Sequence, residues 1–548
     1  MKGVLVFMGW WMLMVDFAFA QVAPAIQWQN TIGGSDEDWL YSIQQTTDGG
    51  YILGGFSESN ISGDKTENCI GNDDYWIVKT DTAGNIQWQN TIGGSNHDYM
   101  QFIQQTADGG YILGGTSGSN ISGDKTENSI GGWDYWIVKI DAVGNIQWQN
   151  TIGGSNYDWL YSIQQTADGG FIFGGESNSN ISGDKTENNI GSFDYWIVKT
   201  DPLGNIQWQN TIGGNFSDKL NSIRQTADGG YILGGPSSSS ISGDKTENTI
   251  GGTGAKDYWI VKTDSTGNIL WQNTIGGNDE DWLYSIQQTT DGGYILGGSS
   301  ISNISGDKTE NNWDTTLITV DYWIVKTDSS GNIQWQNTIG GGLDDWLTSI
   351  QQTADGGYIL GGFSNSNISG DKTENSMGGD DYWIVKTDTA GNIQWQSTIG
   401  GSNHDSFWSI QQTADGGYIL SGHSRSITSG DKTENNVDTI PPYSNDYWLV
   451  KLFPDTITGI TQYQNQTSNF QIFPNPTTNE FHLALGETNF QKGDIIRLTD
   501  ALGNTLFTKT VAVPTLNFKL QTLNYAPGIY FVEIITGKEK LVRKVVKY

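Results

Sequence analysis

The chain has 548 residues and a formal net charge of −32, and it contains 73 Gly and 23 Trp but only 10 Pro. This composition favours strands and tight turns and argues against a mainly helical protein. The negative charge excludes nucleic acid and an anionic membrane surface as expected partners.

The N-terminus has the three parts of a secretory signal peptide. Lys2 supplies a positive charge, an apolar run extends from Val4 to Val15, and the small-x-small motif AFA precedes Gln21. We therefore predict a signal peptide over residues 1–20, cleaved between Ala20 and Gln21, with an uncleaved anchor as the alternative. No other segment is long and apolar enough to span a membrane, so we expect no transmembrane segment in the mature protein.

The next 430 or so residues form seven near-identical repeats, which are spaced by 60 residues and, in three places, by 63 to 65 residues. Each repeat carries four strand-like words in the order SIQQT, YILGG, DYWIVK and IQWQ. A DGG turn joins the first two words, a TDxxGN turn joins the last two, and a longer segment around SGDKTEN connects the middle pair. The DYWIVK or DYWLVK words begin at Asp74, Asp134, Asp194, Asp257, Asp321, Asp381 and Asp446.

The phase of the repeats predicts a closed ring. The first IQWQN, at 26–30, has no preceding partner, and the last DYWLVK, at 446–451, has no IQWQ after it. If the N-terminal strand completes the last sheet, the chain forms seven four-stranded blades and leaves no open edge. We predict an all-β fold, with a seven-bladed β-propeller over 21–451 that is closed by its N-terminal strand. A linear β-solenoid is the alternative.

One face of this disc is expected to bind ligand. The SGDKTEN loops and the NTIGGSxxDW crossovers between blades lie on the same face, and all three length changes between repeats fall in those loops. An Asp-Trp pair in the crossover is the candidate glycan-binding element, because an exposed indole can stack on a sugar. The candidate residues are Asp38, Trp39, Asp158, Trp159, Asp281, Trp282, Asp345 and Trp346.

Tryptophans shared by all seven repeats have a different interpretation. Trp76 and Trp88 illustrate the pair that recurs in every DYW and IQW word. Because a ring has one unique centre, seven identical residues rarely build one site. We interpret these tryptophans as packing between blades, with lectin-type stacking platforms as the alternative.

Cofactor and catalytic signals are weak. Asp64 and Glu67 lie among Ser, Asn and Gly, which suits calcium, but no loop has the D-x-D-x-D-G pattern. We expect no cofactor, with calcium as the alternative. HExxH, GxSxG and phosphate-loop motifs are missing, and only two arginines, Arg224 and Arg425, occur between residues 21 and 455. No catalytic residue is predicted. A carboxylate pair for glycoside hydrolysis stays open, because Asp and Glu are abundant.

The repeats end at Lys451, and a polar linker at 452–468 leads to a separate module at 469–548. Strand-like runs alternate there with turns, which predicts a small Ig-like β-sandwich. Its words FPNPT, LTDALGN and APGIYFVEI, followed by a basic end RKVVK, occur in that order at the C-terminus. The motif residues are Pro474, Asn475, Pro476, Asp500, Gly503, Pro527, Gly528, Tyr530, Lys544 and Lys547.

This module resembles the type A C-terminal sorting domain of the type IX secretion system of Bacteroidetes. The resemblance implies export to the periplasm, passage across the outer membrane through the type IX machinery, and release or attachment at the cell surface. The expected protein is a monomeric secreted or surface propeller that binds a glycan or another surface polymer. A polysaccharide-acting hydrolase and a purely structural surface protein are the alternatives.

Overall fold

The computed structural model describes residues 22–455, except 253, 315–318 and 439–442, and most strands of the C-terminal module. In that module the described residues are 470–473, 480–485, 491–500, 505–512, 517–521, 525, 528–535 and 540–547. The predicted signal peptide and its cleavage site at Ala20 and Gln21 lie outside the described residues. The chain divides into two compact units, Met1–Ile457 and Thr458–Tyr548.

The first unit contains seven four-stranded antiparallel sheets, which are the blades of the propeller. The first strand of each blade lines a central channel and is called the inner strand. The inner strands are Asp38–Gln45, Asp98–Gln105, Asp158–Gln165, Ser222–Gln225, Asp281–Gln288, Asp345–Gln352 and Asp405–Gln412. The second strands are Tyr51–Ser57, Tyr111–Ser117, Phe171–Ser177, Tyr231–Ser237, Tyr294–Ser300, Tyr358–Ser364 and Tyr418–Ser424. The third strands are Asp74–Thr80, Asp134–Ile140, Asp194–Thr200, Asp257–Thr263, Asp321–Thr327, Asp381–Thr387 and Asp446–Leu452. The outer strands are Ile86–Ile92, Ile146–Ile152, Ile206–Ile212, Ile269–Ile275, Ile333–Ile339, Ile393–Ile399 and Ile26–Ile32.

The last outer strand comes from the N-terminus, which confirms the predicted ring closure. Ile26–Ile32 pairs antiparallel with Asp446–Leu452, with Thr31 opposite Trp448. The first blade has the same register, in which Thr91 lies opposite Trp76. The N-terminal strand therefore takes the outer position that IQWQ takes in every other blade, and the solenoid alternative is wrong.

Tight turns on one face of the disc connect the strands as the sequence predicts. In the DGG turn, Asp48 Oδ1 accepts hydrogen bonds from Thr46 Oγ1 at 2.5 Å and from Gly50 N at 3.0 Å. Gly49 has φ of +85°, a backbone conformation that side chains beyond glycine disfavour. Lys79 from the third strand places its Nζ 3.0 Å from Asp48 Oδ2, so the turn is held to the sheet.

The shared tryptophans pack between blades, which confirms their structural interpretation. Trp76 is fully buried, and its ring centroid lies 4.7 Å from that of Tyr447 in the preceding blade. Trp88 meets Tyr111 of the following blade edge to face, with centroids 5.9 Å apart. Aromatic pairs of this kind add roughly 0.5–1.5 kcal/mol beyond area burial, and the repeat places them at each blade contact.

The C-terminal unit consists of two antiparallel sheets around its own core, as the predicted Ig-like sandwich requires. One sheet contains Phe470–Phe473, Glu480–Leu485 and Asn517–Gln521, and the other contains Thr505–Thr510, Ile495–Asp500, Gly528–Ile535 and Lys540–Lys547. Tyr530 of the sorting motif is buried and lies opposite Asp500 in the sheet. Gly528, Lys544 and Lys547 lie in the last two strands. The remaining motif residues, Pro474, Asn475, Pro476, Gly503 and Pro527, lie outside the described residues.

Candidate functional site

The central channel opens on the face that carries the SGDKTEN loops, which we call the long-loop face. The repeats differ most at this mouth. The inner strands begin at this face. One residue in each of them, or directly before it, lines the channel here: Tyr41, Gln101, Tyr161, Asn221, Tyr284, Thr348 and Trp408. The turns and ladders of the blades are almost identical in sequence, but this ring holds five residue types. Variation confined to one mouth of an otherwise uniform ring marks that mouth as the candidate site.

The aspartates of the predicted Asp-Trp pairs hold the crossovers together. Asp38 is fully buried, and its Oδ2 accepts hydrogen bonds from Gly34 N at 2.6 Å and Ser59 Oγ at 3.1 Å. Burial raises the pKa of Asp38 to about 7, and hydrogen bonds from Ser57, Gly34 and Ser59 oppose this rise. The same two Oδ2 bonds occur at Asp158, Asp281 and Asp345.

The tryptophans of those pairs lie half-buried at the mouth. Trp159 stacks on Trp133, with ring centroids 5.2 Å apart and an interplanar angle of 23°. Trp282 lies beside Trp346, with centroids 5.2 Å apart at 44°. Trp39 stacks on Phe56 at 6.1 Å and 16°. The structure therefore pairs two of the predicted tryptophans with each other and places the other two against aromatic rings that the sequence reasoning missed.

These rings belong to a continuous row, which we call the aromatic arc, across the seventh, first, second and third blades. Its centroid separations are 4.7 Å, 5.7 Å, 4.7 Å, 5.3 Å and 5.2 Å. The last two contacts are stacked, with interplanar angles of 17° and 23°. In order, the aromatic arc comprises Trp408, Tyr41, Phe56, Tyr99, Trp133 and Trp159.

A pocket of about 330 Å³ opens within the arc, between the first and second blades. Two acidic side chains meet in it, because Glu58 hydrogen-bonds Asp73. Glu58 is exposed at the rim, and its partial desolvation, followed by this bond and the nearby Glu37 and Asp36, raises its pKa above the usual range. Asp73 is buried and also contacts Nδ1 of His97. The pocket is lined by Trp39, Tyr41, Phe56, Glu58, Asp73, Tyr99 and Gln101.

Basic residues occupy a different sector of the mouth. Lys219 takes the place of the tryptophan in the fourth blade, and its Nζ lies 4.1 Å from the ring centroid of Tyr161. Burial lowers the pKa of Lys219, while Glu176 opposes the shift. Lys256 lies 3.2 Å from Glu280 and 5.6 Å from the centroid of Trp282. Both lysines of the mouth therefore lie outside the pocket sector, and each has an acidic neighbour.

A sequence signal for the missed residues existed in the columns where the repeats disagree. At the position of Phe56, for example, the other repeats have Thr, Glu, Pro, Ser, Phe and His. Glu58 falls in a similarly mixed column, and Tyr99 replaces the tryptophan of the Asp-Trp pair in the second repeat. The Asp-Trp pairs form a shared motif because they occur in four repeats, whereas Glu58 occurs in one repeat and Phe56 in two.

The calcium candidates make hydrogen bonds to backbone. Asp64 Oδ2 accepts from Gly33 N at 3.2 Å, and Glu67 Oε2 accepts from Thr91 N at 2.6 Å. Within the part of the chain that the structure describes, no group of three or more His, Cys, Asp or Glu side chains is arranged to hold a metal ion. A search of the same residues finds no helix with the length and apolar character to cross a membrane.

Comparisons with known proteins bear mainly on the tail. Residues 471–548 match the secretion system C-terminal sorting domain. Over 274 residues the chain is 25% identical to regulatory protein FlaEY of Caulobacter vibrioides, which covers 47% of this chain and only 28% of that protein. Among solved structures, the chain is similar to Sqt1 from Chaetomium thermophilum, at 10% identity and a TM-score of 0.40, over 79% of this chain and 100% of that one. A puromycin hydrolase has the same identity and TM-score, over 85% of this chain and 62% of that one. Structural likeness at this level carries no argument about function.

The fold and the tail together define a class, that of an exported seven-bladed β-propeller with a C-terminal sorting domain. The sorting domain identifies the chain as a cargo of the type IX secretion system, which places it outside the cell or on the cell surface.

Proposed function

We propose that the propeller is a carbohydrate-binding module, which holds a glycan along the aromatic arc at the long-loop mouth. One observation carries the proposal: six aromatic side chains from four blades form an unbroken row at the face where the repeats differ. Aromatic rings that serve only packing between blades recur identically in every repeat, as Trp76 does. Some rings of the arc recur in a few repeats, but none of its positions holds the same residue in all seven, so packing common to every blade does not explain the row.

The exposure of the arc supports contact with a ligand. Trp133, Trp159, Tyr99 and Tyr41 are only partly buried, whereas Trp76 and its equivalents are completely enclosed. Flat rings that remain partly exposed offer apolar surface to the C–H face of a sugar, and they lose little conformational entropy on binding. A row that spans several blades suits a polymer better than a single small molecule.

The hydrolase alternative receives less support from the same face. Glycoside hydrolysis commonly uses two carboxyl groups that are about 5–5.5 Å or 6.5–9.5 Å apart, so that the glycosidic bond or a water fits between them. Glu58 and Asp73 hydrogen-bond each other directly, which leaves no such gap. Their arrangement favours binding over bond cleavage.

A binding experiment tests the proposal. The mature propeller is applied to an array of bacterial and plant polysaccharides, and the best ligand is then titrated by calorimetry. We expect Trp159→Ala to weaken binding at least tenfold, because the ligand loses a stacking surface. Leu203→Ala, which removes an exposed side chain from a TDxxGN turn on the opposite face, serves as the matched control and should leave affinity unchanged.

Two results would contradict the proposal. Equal affinities for Trp159→Ala and wild type would remove the arc from the binding site. Turnover of a polysaccharide that disappears after one Asp or Glu substitution would favour the hydrolase. Array binding with and without calcium also tests the expectation that no cofactor is needed.

The sorting domain supports a finer proposal about location. We infer that the propeller passes through the periplasm and stays at the outer-membrane surface, where a polymer-binding module keeps the cell in contact with its ligand. Fractionation of cells that express the full chain tests this inference. Recovery of the propeller in the medium alone would favour release.

A further inference from the structure

We propose that the pocket between the first and second blades binds an organic ammonium group, as an amino sugar or a quaternary ammonium headgroup carries. This inference deepens the proposed function and rests on it only in that the pocket forms part of the aromatic arc. It adds a chemical class of ligand, which the arc alone does not define.

The lining of the pocket has the composition of a cation cage. Four of its seven lining residues are aromatic: Trp39, Tyr41, Phe56 and Tyr99. The faces of such rings carry negative potential and attract a cation within about 6 Å of the centroid, most strongly when the cation is desolvated. A volume of about 330 Å³ is ample for a trimethylammonium group or an amino sugar.

The charge of the pocket also favours a cation. Glu58 and Asp73 supply two carboxyl groups, and Glu37 and Asp36 lie close enough to raise the pKa of Glu58. Among the described residues, the lining contains no Lys or Arg. The arginine in this sector, Arg425, pairs with Glu37 at 3.1 Å. An incoming ammonium group therefore meets an excess of carboxylate over base.

A proton can partly neutralise the two carboxyl groups when no cation is bound. When the pocket is empty, a proton shared between Glu58 and Asp73 relieves their repulsion, in keeping with the raised pKa of Glu58. A bound ammonium group supplies positive charge in place of that proton, which is released to solvent. Binding should therefore strengthen as pH rises through the raised pKa of Glu58. The titratable groups that face the pair are His97, Tyr99, Tyr41, Glu37 and Asp36, and Arg425 lies behind them in its ion pair with Glu37.

A second site in the ring provides a natural control. Asp380 and His404, between the sixth and seventh blades, repeat the pairing of Asp73 with His97, with Asp380 Oδ2 at 3.0 Å from His404 Nδ1. Asn365 stands there at the position of Glu58, and Ser406 at that of Tyr99. The second carboxyl group and one wall of the cage are therefore missing, and this sector should not bind ammonium.

The test compares two ligands that carry ammonium groups with a neutral sugar of the same length as one of them. The probes are tetramethylammonium chloride, a glucosamine tetramer and the neutral N-acetylglucosamine tetramer, each titrated into the mature chain at pH 5 and pH 8. We expect tetramethylammonium and the glucosamine tetramer to bind. The affinity for tetramethylammonium, whose charge does not change with pH, should be at least fivefold higher at pH 8 than at pH 5. Glu58→Gln, which keeps a partner for Asp73, should weaken both at least tenfold, and Asp380→Asn should leave both unchanged.

The outcomes separate this inference from the proposed function. Equal affinity for the charged and neutral tetramers, with loss on Trp159→Ala, would overturn the ammonium site and leave glycan binding intact. Binding of tetramethylammonium but of no glycan would overturn the proposed glycan binding and leave the ammonium site intact. It would assign the site to a quaternary ammonium source. If Glu58→Gln does not fold, wild-type calorimetry at pH 5, where Glu58 of the empty pocket is protonated, in two buffers of different ionisation enthalpy measures the released proton. Binding without proton release would also overturn the inference.

Discussion

The indole Nε1 of Trp448 donates a hydrogen bond to Oε1 of Gln29 at 3.1 Å, across 419 residues of chain. In the first blade, Trp76 makes the same bond to Gln89 at 3.0 Å within one continuous repeat. Gln29 also bonds the backbone of Asp431 and Thr433, as Gln89 bonds Asp64 and Thr66. The closing strand thus reproduces the contacts of an ordinary outer strand.

Equivalent bonds predict equivalent energies. Gln29→Ala and Gln89→Ala each leave an indole N–H without its acceptor, at a cost of about 1–3 kcal/mol. The free energies of unfolding of the two variants, measured in denaturant, should agree within about 0.5 kcal/mol. If Gln29→Ala left the free energy of unfolding unchanged while Gln89→Ala lowered it, the N-terminal strand would be detached in solution.

Deletion of residues 21–30 removes the closing strand itself. It should cause marked destabilisation or aggregation, because it exposes the edge of the last blade.

A second hydrogen bond between neighbouring blades is formed at six of the seven blade contacts. In six blades an inner-strand glutamine accepts a hydrogen bond from a backbone N–H of the next blade, as Gln44 does from Gln105 N at 2.6 Å. The other five acceptors are Gln104, Gln164, Gln287, Gln351 and Gln411. Arg224 stands in the remaining position, and a guanidinium group has no acceptor atom.

Restoring the missing acceptor should stabilise the ring. Arg224→Gln supplies an oxygen for Gln288 N and removes a half-buried cation from the channel, so we expect a gain of about 1 kcal/mol in unfolding free energy. Thermal unfolding of Arg224→Gln and Arg224→Met separates the two effects, since methionine removes the charge without adding an acceptor. Equal stability of the two variants would show that the hydrogen bond to Gln288 N does not contribute to stability.

The parts of this protein that repeat could be predicted from the sequence, and the parts that do not repeat could not. Strand order, turns and closure follow from words that occur seven times and therefore have one shared explanation. The burial of Asp38 could not be read from its repeat, because an aspartate before a tryptophan suits an exposed loop as well as a buried crossover. The pocket at Glu58 requires three segments, around residues 39, 58 and 99, to meet across two blades, and no local pattern encodes that meeting.

The two compact units predict separable roles for fold and export. The C-terminal unit has its own core, which includes Phe481, Val532 and Ile534. Removal of residues 469–548 should therefore leave the thermal unfolding of the propeller unchanged but abolish its transport across the outer membrane. Fractionation of cells that express the full and truncated chains checks this result. Surface exposure of the truncated chain would contradict a sorting role for the tail.

The buried aspartates predict that the propeller is most stable at mildly acidic pH. At each blade contact an inner-strand Asp lies near a third-strand Asp. Burial raises the pKa of Asp38 to about 7 and that of Asp446 to about 8, and at Asp446 repulsion from Asp38 adds to the rise. Because these groups bind protons more tightly in the folded chain, their stabilising contribution is full below about pH 4 and is lost as pH rises through 7 to 8. The aspartates of the DGG turns act oppositely. The pKa of Asp291 is lowered to about 2 through bonds that oppose its burial, so its contribution is lost below about pH 4.

The propeller should therefore be most stable near pH 4 to 5. Thermal unfolding can locate this optimum, and a variant can assign it to the aspartates. The midpoint of thermal unfolding should fall steadily between pH 5 and pH 8. Asp446→Asn keeps an oxygen for the N–H of Val437, which Asp446 Oδ2 accepts at 2.7 Å, and removes the charge. The variant should therefore gain more than about 1 kcal/mol over wild type at pH 8 and little at pH 4.5, since each unit of pKa difference corresponds to about 1.4 kcal/mol. Stability of wild type that rises between pH 5 and pH 8 would show that the paired aspartates do not control the pH dependence.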